Sequence, residues 1–289
     1  MDKRKWLSER FEEHRSHLRS VAYRMLGSVS EAEDALQETW LRIHDQDARS
    51  VANMQAWLTT IVGRVCLNML RSRRAHPQFT GTYVPDPVVS LSDGSDPEHE
   101  AVVADSVGLA LLVVLESLTP AERLAFVLHD VFGVSYAEVA PILERSEAAA
   151  MQLASRARRR VRQAPRPDRD LARQRSVVDA FFAAARDGDF EALVRMLHPD
   201  VVLRIDGGTL RRGASVVLHG SDAVAAHTTT YSKLHPYVVP ALVNGTAGAV
   251  IAPHGDLYAV MAFTITAGKI AAIDALLDSE RLRHLPRIS

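Results

Sequence analysis

Cysteine is almost absent from this chain. Cys66 is the only one, so no intrachain disulfide can form and a reducing compartment is expected. Long apolar runs are missing too, because no stretch reaches the ~18 residues that a membrane-spanning helix needs. No secretory apolar segment follows the first residues. These absences predict a cytoplasmic protein without a membrane partner.

The net charge is also small, since 34 Lys and Arg residues nearly balance 35 Asp and Glu residues and give a net charge of −1. Taken alone, this balance argues against a nucleic-acid-binding protein. The charges are separated along the chain, however. Residues 77–110 carry six acidic residues and no Lys or Arg, whereas residues 156–175 carry nine Arg and two Asp. This asymmetry predicts a polyanionic partner for the basic segment.

The 289 residues, of which 47% are hydrophobic, predict two or three globular domains. Residues 10–74 and 101–162 show the helical spacing of apolar side chains. Residues 76–97 contain four prolines and two glycines without helical spacing, which is typical of a linker. After a second linker at 163–170, two helices precede six strand-like runs rich in Val, Ile and Thr. This order predicts an α+β domain.

Local motifs predict where several helices begin. Three S/T-x-x-E capping boxes are present at Ser30–Glu33, Thr119–Glu122 and Ser135–Glu138. Pro120 follows Thr119 at the first helical position, where proline is best tolerated.

Residues 135–162 predict a helix-turn-helix. A short helix that ends near Leu143 is followed by the turn 144–146, and Ser146 caps a second helix. The C-terminal half of that helix carries five arginines that could neutralise phosphates: Arg156, Arg158, Arg159, Arg160 and Arg162. An ordinary helical hairpin with a solvated basic face is the alternative interpretation.

Four segments resemble, in this order, the conserved blocks of extracytoplasmic-function sigma factors: residues 31–43, 56–74, 118–128 and 135–162. Four ordered blocks are far more specific than a lone helix-turn-helix. The resemblance implies a promoter-specificity subunit that binds the clamp coiled coil and the flap of core RNA polymerase and helps to open promoter DNA. It implies no catalysis, no cofactor and no metal.

The helix predicted over 31–43 buries one stripe and leaves an acidic, lightly apolar face that could dock a basic partner helix. The resemblance assigns this face to core polymerase, and its residues are Asp34, Gln37, Glu38 and Leu41. Without the resemblance, a solvated helix face would be the simpler interpretation.

The helix predicted over 54–74 carries a polar stripe with Trp57 and Ile61 along the same line. Cationic groups suit phosphates, and a flat ring suits unstacked bases. The resemblance assigns this helix to the −10 promoter element and the loop 44–53 to a flipped-out base. The stripe consists of Arg64, Asn68, Arg71, Arg73 and Arg74. Trp57 taken alone is more often a core residue.

The second helix of the helix-turn-helix is the candidate reader of the −35 element. Contacts with DNA are expected from Ser146, Glu147, Ala150, Gln152, Arg156, Arg158, Arg159 and Arg160. Three positions depart from the family pattern. Glu144 occupies a turn position that is often Gly, Met151 stands where Arg is usual, and Asn68 replaces a common Asp. The promoter sequence therefore stays open.

Residues 177–208 and 269–274 resemble the SnoaL-like domain that is appended to one sigma-factor subgroup. The resemblance implies a cone-shaped regulatory domain whose mouth has room for a small ligand. A subgroup linker motif appears at 83–87, and a glycine loop appears at 206–209. The linker strip is expected to dock beside Asp206 and thereby regulate transcription. The residues of this expected contact are Tyr83, Pro85, Pro87, Asp206, Gly207 and Gly208.

The same region holds groups that could act as acids or bases: His198, Asp206, His219, His227 and Asp256. No His/Asp pair has a spacing that forces contact, and no metal-ligand motif is present. Two rival functions remain: a one-component transcription regulator, which leaves residues 31–74 unexplained, and a SnoaL-like isomerase or hydrolase with an accessory DNA module.

The predicted protein is therefore multidomain. Two all-α sigma domains, over 1–76 and 105–163, are joined by an acidic, Pro-rich linker over 77–104. A SnoaL-like α+β domain over 171–289 follows them, and a small molecule in its cone is the only ligand expected.

Overall fold

The computed structural model of the protein describes residues 3–75, 82–91, 108–209 and 212–285. The internal contacts divide the chain into two compact units. The helical unit comprises Met1–Gln78 and Val114–Ala164, and the sheet unit comprises Phe79–Val113 and Pro165–Ser289. None of the helices in the described ranges has the length and the hydropathy needed to cross a membrane.

The first half of the helical unit contains three helices: α1 (Lys3–Leu26), α2 (Val29–Ile43) and α3 (Met54–Ala75). Gly27 ends α1 with a left-handed φ of 69°. Ser28 then caps α2, because its side chain accepts a hydrogen bond from the Glu31 backbone N–H at 3.4 Å. The capping box predicted at Ser30–Glu33 is therefore wrong. The helix begins directly after the glycine, and the Glu33 carboxylate pairs instead with two arginines of α1.

The second half of the helical unit follows the predicted helix-turn-helix. Its elements are α4 (Leu109–Glu116), which begins in the sheet unit, α5 (Pro120–Ala125), a π-helical turn (Phe126–Val131), α6 (Tyr136–Leu143) and α7 (Glu147–Gln163). Both remaining capping boxes, Thr119–Glu122 and Ser135–Glu138, are confirmed. Ser146 caps α7 by accepting from the Ala149 N–H at 3.3 Å. The caps therefore fix where the recognition helix begins.

A buried arginine joins the two halves of the helical unit. Arg123 in α5 is 2% exposed and donates to the carbonyl oxygen of Met25 at 2.9 Å. It also donates to the Leu115 carbonyl at 2.9 Å and to the Glu116 carboxylate at 2.7 Å. Because Met25 lies in the last turn of α1, the guanidinium satisfies a carbonyl that the helix end leaves without an intrahelical donor.

The sheet unit consists of a curved sheet and helices. Its elements are β1 (Val89–Ser90), α8 (Leu171–Asp187), α9 (Phe190–Met196), β2 (Leu197–Asp206), β3 (Val216–His219), α10 (Ser221–Thr229), β4 (Val238–Val243), β5 (Thr246–Ile251), β6 (Ala259–Thr266), β7 (Lys269–Leu276) and α11 (Ser279–Leu282). The strand order is β1-β4-β5-β6-β7-β2-β3, and only the β2–β7 pair is parallel. The six strands and the two leading helices that the sequence predicts are confirmed within a few residues, whereas α10 and β1 were not predicted.

The core of the sheet unit lies between the helices and the sheet. Phe181 and Phe182 of α8 meet Phe263 of β6 edge to face, with ring centroids 5.4 and 5.7 Å apart. The linker at 163–170 is anchored beside this core. The Asp168 carboxylate accepts the N–H groups of Ala267 and Gly268, both at 3.0 Å, in the β6–β7 turn. α8 is thereby fixed over the sheet.

Candidate functional site

The face of α2 that was assigned to polymerase is open to solvent. Leu41 is 63% exposed, and Asp34 and Gln37 are exposed as well. Glu38 is half-buried, and its carboxylate accepts a hydrogen bond from Arg42 at 2.7 Å. An exposed apolar side chain among acidic and polar groups is a composition that suits a docking surface for a basic partner.

Three members of the polar stripe on α3 lie on its solvent-exposed face. Arg64, Asn68 and Arg71 are exposed, and they make no hydrogen bond or ion pair within the described part of the chain. Their spacing of four and three residues places them on one side of the helix. This side is therefore free to meet phosphates.

The last two arginines of the stripe are held by the helical unit itself. Arg73 donates to the Leu26 carbonyl oxygen at 3.2 Å and pairs with the Glu31 carboxylate. Arg74 donates to the Leu118 carbonyl oxygen at 2.7 Å. These two residues stabilise neighbouring helix ends, a role that the basic run 71–74 did not predict.

A groove of about 560 Å³ runs beside the N-terminal half of α3, within the helical unit. Trp57, Ile61 and Arg64 line it from α3, so the tryptophan is half-buried rather than a core residue. Further lining residues come from the loop 44–53 and from α6: Gln46, Asn53, Glu138, Pro141 and Ile142. The structure thus brings the loop and the aromatic residue to one concave surface.

The recognition helix α7 buries a different face from the one expected. Ala150, Ala154 and Ala157 are each 0% exposed, so Ala150 is not available to contact a base. This corrects the prediction that Ala150 reads DNA. The physical reason is the helical period, which places residues four and seven positions apart on the same packed face.

Three of the predicted phosphate-binding arginines on α7 have carboxylate partners in the helical unit. Arg156 lies 3.1 Å and Arg160 3.5 Å from Glu122, whose side chain is 6% exposed. Arg158 pairs with Asp130 at 2.9 Å, and it donates to the Tyr136 hydroxyl at 2.7 Å. These contacts anchor α7 to the rest of the helix-turn-helix.

The exposed face of α7 is a stripe in helical register: Glu147, Ala148, Met151, Gln152, Ser155, Arg159 and Arg162. Met151 is 49% exposed, although its side chain is large and apolar. Arg159 and Arg162 have no partner among the described residues. Ser146 is exposed at the N-cap, where its hydroxyl is used by the helix. From the predicted set, Glu147, Gln152 and Arg159 are thus exposed and unpaired among the described residues, whereas Arg156 and Arg160 are exposed but paired with Glu122.

The strip 82–91 of the first linker packs within the sheet unit. Val84, Pro85, Asp86 and Pro87 are buried, and β1 pairs with β4. Of the acidic residues counted over 77–110, Asp93, Asp96, Glu98, Glu100 and Asp105 lie outside the described ranges. The described strip is therefore an ordered part of the α+β unit.

Asp206, at the end of β2, holds the strip through its carboxylate. It is 4% exposed, and its Oδ2 accepts the Val84 backbone N–H at 3.0 Å. Its Oδ1 accepts the Gly208 N–H at 3.0 Å, and the Gly207 N–H is bound by the Ser215 hydroxyl at 3.0 Å. Gly208 has a φ of 63°, and a Cβ there would lie 2.2 Å from Asp278. Only glycine therefore fits at this position of the loop.

Arg281 completes an arrangement that we call the linker latch, defined by Tyr83, Val84, Asp86, Asp206 and Arg281. The guanidinium donates to Asp206 Oδ2 at 2.8 Å, to the Val84 carbonyl oxygen at 2.5 Å and to the Asp86 carboxylate. Its carbon lies 4.8 Å from the centre of the Tyr83 ring, within cation–π range. Burial alone would lower the pKa of Arg281, but the two carboxylates outweigh it and raise that pKa.

A second anchor holds the strip beyond the latch. Asn244 is 1% exposed; its side-chain oxygen accepts the Val88 N–H at 3.0 Å, and its own N–H donates to the Val88 carbonyl at 2.8 Å. Sequence reasoning missed both Asn244 and Arg281. Two signals were available: the Asn244-Gly245 turn pair, and residues 278–282, a degraded form of the Asn-Pro-Asp-Lys-Leu ending of the resembled subgroup. Neither gives the identity of a distant partner.

The acid–base candidates of the sheet unit do not converge. Asp206 belongs to the latch, His219 and Asp256 are exposed, and His198 lies beside the exposed Asp200. Only His227 faces an enclosed apolar cavity. In the described part of the chain, no group of three or more His, Cys, Asp or Glu residues could hold a metal ion.

Comparison with protein families gives two matches, both in the first part of the chain. Sigma-70 region 2 matches residues 10–76, and Sigma-70 region 4 matches residues 108–161. The first match contains α2, α3 and the side of the groove that they form, and the second contains α6 and all but the last two residues of α7.

Two curated relatives match almost the whole chain. The ECF RNA polymerase sigma factor SigJ of Mycobacterium tuberculosis is 42% identical, over 96% of this chain and 93% of that protein. The probable ECF RNA polymerase sigma factor SigI of the same species is 34% identical, over 94% and 93%. The crystal structure of SigJ superposes with a TM-score of 0.78 and 39% identity, over 97% of this chain and 99% of that one. The similarity therefore includes the linker and the α+β unit.

Proposed function

We propose a regulatory mechanism for this chain, which belongs to the extracytoplasmic-function family of RNA polymerase sigma factors. As a member of that family it directs core polymerase to promoters for transcription initiation. The region 2 match accounts for residues that a one-component helix-turn-helix regulator leaves unexplained. In our proposal, the C-terminal α+β domain sets the activity by holding the linker that joins the two promoter-reading regions.

The observation that carries this proposal is the linker latch. The buried Asp206 carboxylate receives both a linker backbone N–H and Arg281, which in turn binds Asp86 of the linker. Charge-assisted hydrogen bonds of this kind are about twice as strong as neutral ones. Because region 2 and region 4 read elements on one DNA duplex, fixing the strip between them limits the separations that the two regions can adopt.

The proposal is tested by transcription in vitro with core polymerase and the full-length variants Tyr83→Ala, Asp206→Asn and Arg281→Gln. We expect each variant to change the yield of promoter-specific transcript severalfold, while pull-down of core polymerase stays as in the unaltered protein. Truncation after Arg162 should have the same two effects. The three substitutions remove linker contacts and leave α2 and α7 intact, and the truncation removes only the last residue of α7 along with the C-terminal domain.

Matched substitutions on the same elements serve as controls. Asp200 is exposed on the same strand as Asp206, and Arg283 is exposed two residues after Arg281. Asp200→Asn and Arg283→Gln should therefore transcribe normally. If the three latch variants and the truncation also transcribe normally, the C-terminal domain is a passive appendage and the regulatory proposal fails.

For promoter contact we propose that the groove beside Trp57 receives an unstacked base of the −10 element. The exposed cations on α3 would neutralise the adjoining phosphates, as a single-strand site requires. On α7 we assign base reading to the exposed Met151 and Gln152. A methionine methyl group can contact the thymine methyl group, and an amide can pair with adenine. We assign the contacts with DNA phosphates to Arg159 and Arg162.

We propose further that the sheet unit binds rather than converts a small molecule. Acid–base catalysis needs a second titrating group within hydrogen-bond reach of the first. His235, Tyr231 and Tyr258 also line this cavity, but none of them makes a hydrogen bond with the His227 imidazole among the described residues, and the described lining includes no Asp or Glu that could orient that imidazole.

A further inference from the structure

The sheet unit encloses an apolar cavity of about 100 Å³ between α8, α10 and the concave face of the sheet. Aromatic side chains form much of its wall: Phe181, Phe182, Tyr231 and Tyr258. The described lining includes no Lys, Arg, Asp or Glu. An engineered apolar cavity of roughly 150 Å³ in another protein binds benzene, so this volume suits a single six-membered ring. His235 also lines the cavity, but the described lining offers an anionic ligand no permanent counter-charge from Lys or Arg.

One polar atom of the wall has no partner. His227 Nε2 is buried and makes no hydrogen bond among the described residues, and a buried polar group in that state carries a desolvation cost. The hydroxyl of its neighbour Thr228 is already used, since it donates to the Val224 carbonyl at 2.8 Å. Burial lowers the pKa of His227, so its ring is neutral near pH 7 and presents at Nε2 either an N–H or a lone pair.

We propose that this cavity is a binding site for a neutral phenol-class molecule, whose ring packs against the aromatic wall and whose hydroxyl pairs with His227 Nε2. A phenolic hydroxyl both donates and accepts, so it fits either tautomer of the imidazole. Benzene fills the same space without satisfying Nε2, and benzoate brings an uncompensated charge.

The cavity lies directly behind the linker latch, so this part of the proposal rests on the function proposed above. Ile205 and Leu277 line the cavity, and the next residue in each case belongs to the latch region: Asp206 follows Ile205, and Asp278 follows Leu277. The Leu277 N–H also donates to the Asp206 carbonyl oxygen at 2.7 Å. A ring that displaces Ile205 or Leu277 therefore moves the carboxylate that holds Val84.

The binding site is tested on the full-length protein by calorimetric titration with phenol, benzene and benzoate. We expect saturable binding of phenol, roughly fivefold weaker binding of benzene, from the loss of one hydrogen bond, and no binding of benzoate. His227→Phe should abolish the preference for phenol over benzene, and His227→Gln should keep it. The control His219→Phe, on the exposed face of β3, should behave as the unaltered protein. Absence of saturable phenol binding, or a preference that survives in His227→Phe, overturns the proposal.

The link to the latch is tested by hydrogen exchange of the peptide that contains residues 82–91. Saturating phenol should change its exchange rate at least twofold in the unaltered protein, and benzoate should not. Exchange that is indifferent to bound phenol overturns the coupling. If phenol binds through His227 while the latch variants transcribe normally, the regulatory function fails and the binding site stands. The two proposals can therefore fail separately.

Discussion

Glu144 adopts a backbone conformation that suits glycine. It ends α6 with φ 56° and ψ 45°, in the left-handed region, and its side chain is exposed. For a residue with a Cβ, this conformation lowers the stability of the folded state by about 1–2 kcal/mol. Glycine avoids this strain, although its greater entropy in the unfolded chain offsets part of the gain. The departure from the family pattern at this position is thus a local strain within an intact turn.

We expect Glu144→Gly to raise the free energy of unfolding by about 0.5–1 kcal/mol. Urea denaturation would measure the change. Ser155→Gly, at an exposed position about two turns inside α7, is the control and should lower stability, because glycine is unfavourable within a helix. A destabilised Glu144→Gly protein would show that the glutamate makes a contribution beyond its backbone conformation.

Glu122 is a second residue whose environment makes a testable prediction. Burial by itself raises the pKa of this carboxyl, but hydrogen bonds from Thr119 and the nearby Arg160 and Arg156 lower it overall. The folded-state pKa therefore lies below the unfolded value of about 4.3. The stabilisation is complete above the unfolded pKa, and it is lost as the pH falls through the folded pKa.

We expect Glu122→Gln to destabilise the protein by about 1–2 kcal/mol at pH 7, because charge-assisted hydrogen bonds are lost. The gap between variant and unaltered protein should narrow once the pH falls below about 4. Unfolding curves at several pH values give both quantities. Glu138 is the exposed glutamate of the other capping box, and Glu138→Gln should lower the free energy of unfolding by less at neutral pH. A gap that is constant with pH would contradict an ionic role for Glu122.

At the scale of elements, α7 divides its arginines between two tasks. Arg158 is tied to Asp130 and Tyr136, whereas Arg159 is exposed and has no partner among the described residues. The helical period separates them by about 100°, so neighbours in sequence lie on different faces. A basic run therefore overstates the number of arginines that can reach DNA.

We expect Arg159→Ala to weaken promoter binding on all sequences and to reduce the slope of log affinity against log salt by about 0.9, as for one lost phosphate contact. Its melting temperature should not change. Arg158→Ala should show the reverse pattern, with stability lowered by about 1 kcal/mol and an unchanged salt slope. Binding titrations at several salt concentrations separate the two. Identical behaviour of both variants would mean that α7 does not dock by its exposed face.

The linker is an element whose behaviour its composition misrepresents. Proline, glycine and acidic residues indicated a flexible segment, and docking beside Asp206 was expected only from the family resemblance. Residues 84–89 are in fact buried, and β1 adds a short strand to the sheet. The prolines destabilise the strip little, because the backbone N–H groups that bind Asp206 and Asn244 belong to Val84 and Val88 and not to the prolines. Order in this strip thus comes from groups more than a hundred residues away.

At the scale of the whole molecule, the proposed function requires the helical unit to bind polymerase while the sheet unit controls the linker. Leu41 is the large apolar side chain of the α2 face, near the end of the helix, and exposure of 63% leaves it little role in stability. Burial of such a side chain in a complex contributes about 1–2 kcal/mol.

We expect Leu41→Ala to weaken the binding of core polymerase by about 1–2 kcal/mol without changing the melting temperature. The double charge reversal Asp34→Lys, Glu38→Lys should weaken it further by opposing a basic partner. Competition for labelled core polymerase measures both effects. Phe190→Ala, at a 41% exposed residue of the sheet unit, is the control. Equal affinity in all three would show that this face of α2 is merely solvated.

The sequence by itself determined the local structure. The caps at Thr119, Ser135 and Ser146, the turn before α7 and the strands depend on residues within a few positions of one another, so local patterns predict them. The ordered family blocks then gave the sigma-factor function. Ser28 capped α2 where Ser30 was predicted, because two nearby serines compete and only the position of the preceding glycine decides between them.

Only the tertiary structure decided which residues act together. Arg281 lies 195 residues from Asp86 and 75 from Asp206, and Asn244 lies 156 from Val88. No local pattern encodes such partners, because a buried carboxylate selects its cation by geometry after the sheet has formed. The burial of Ala150 and the ion pairs of α7 are decided in the same way, by which helix face packs against its neighbours.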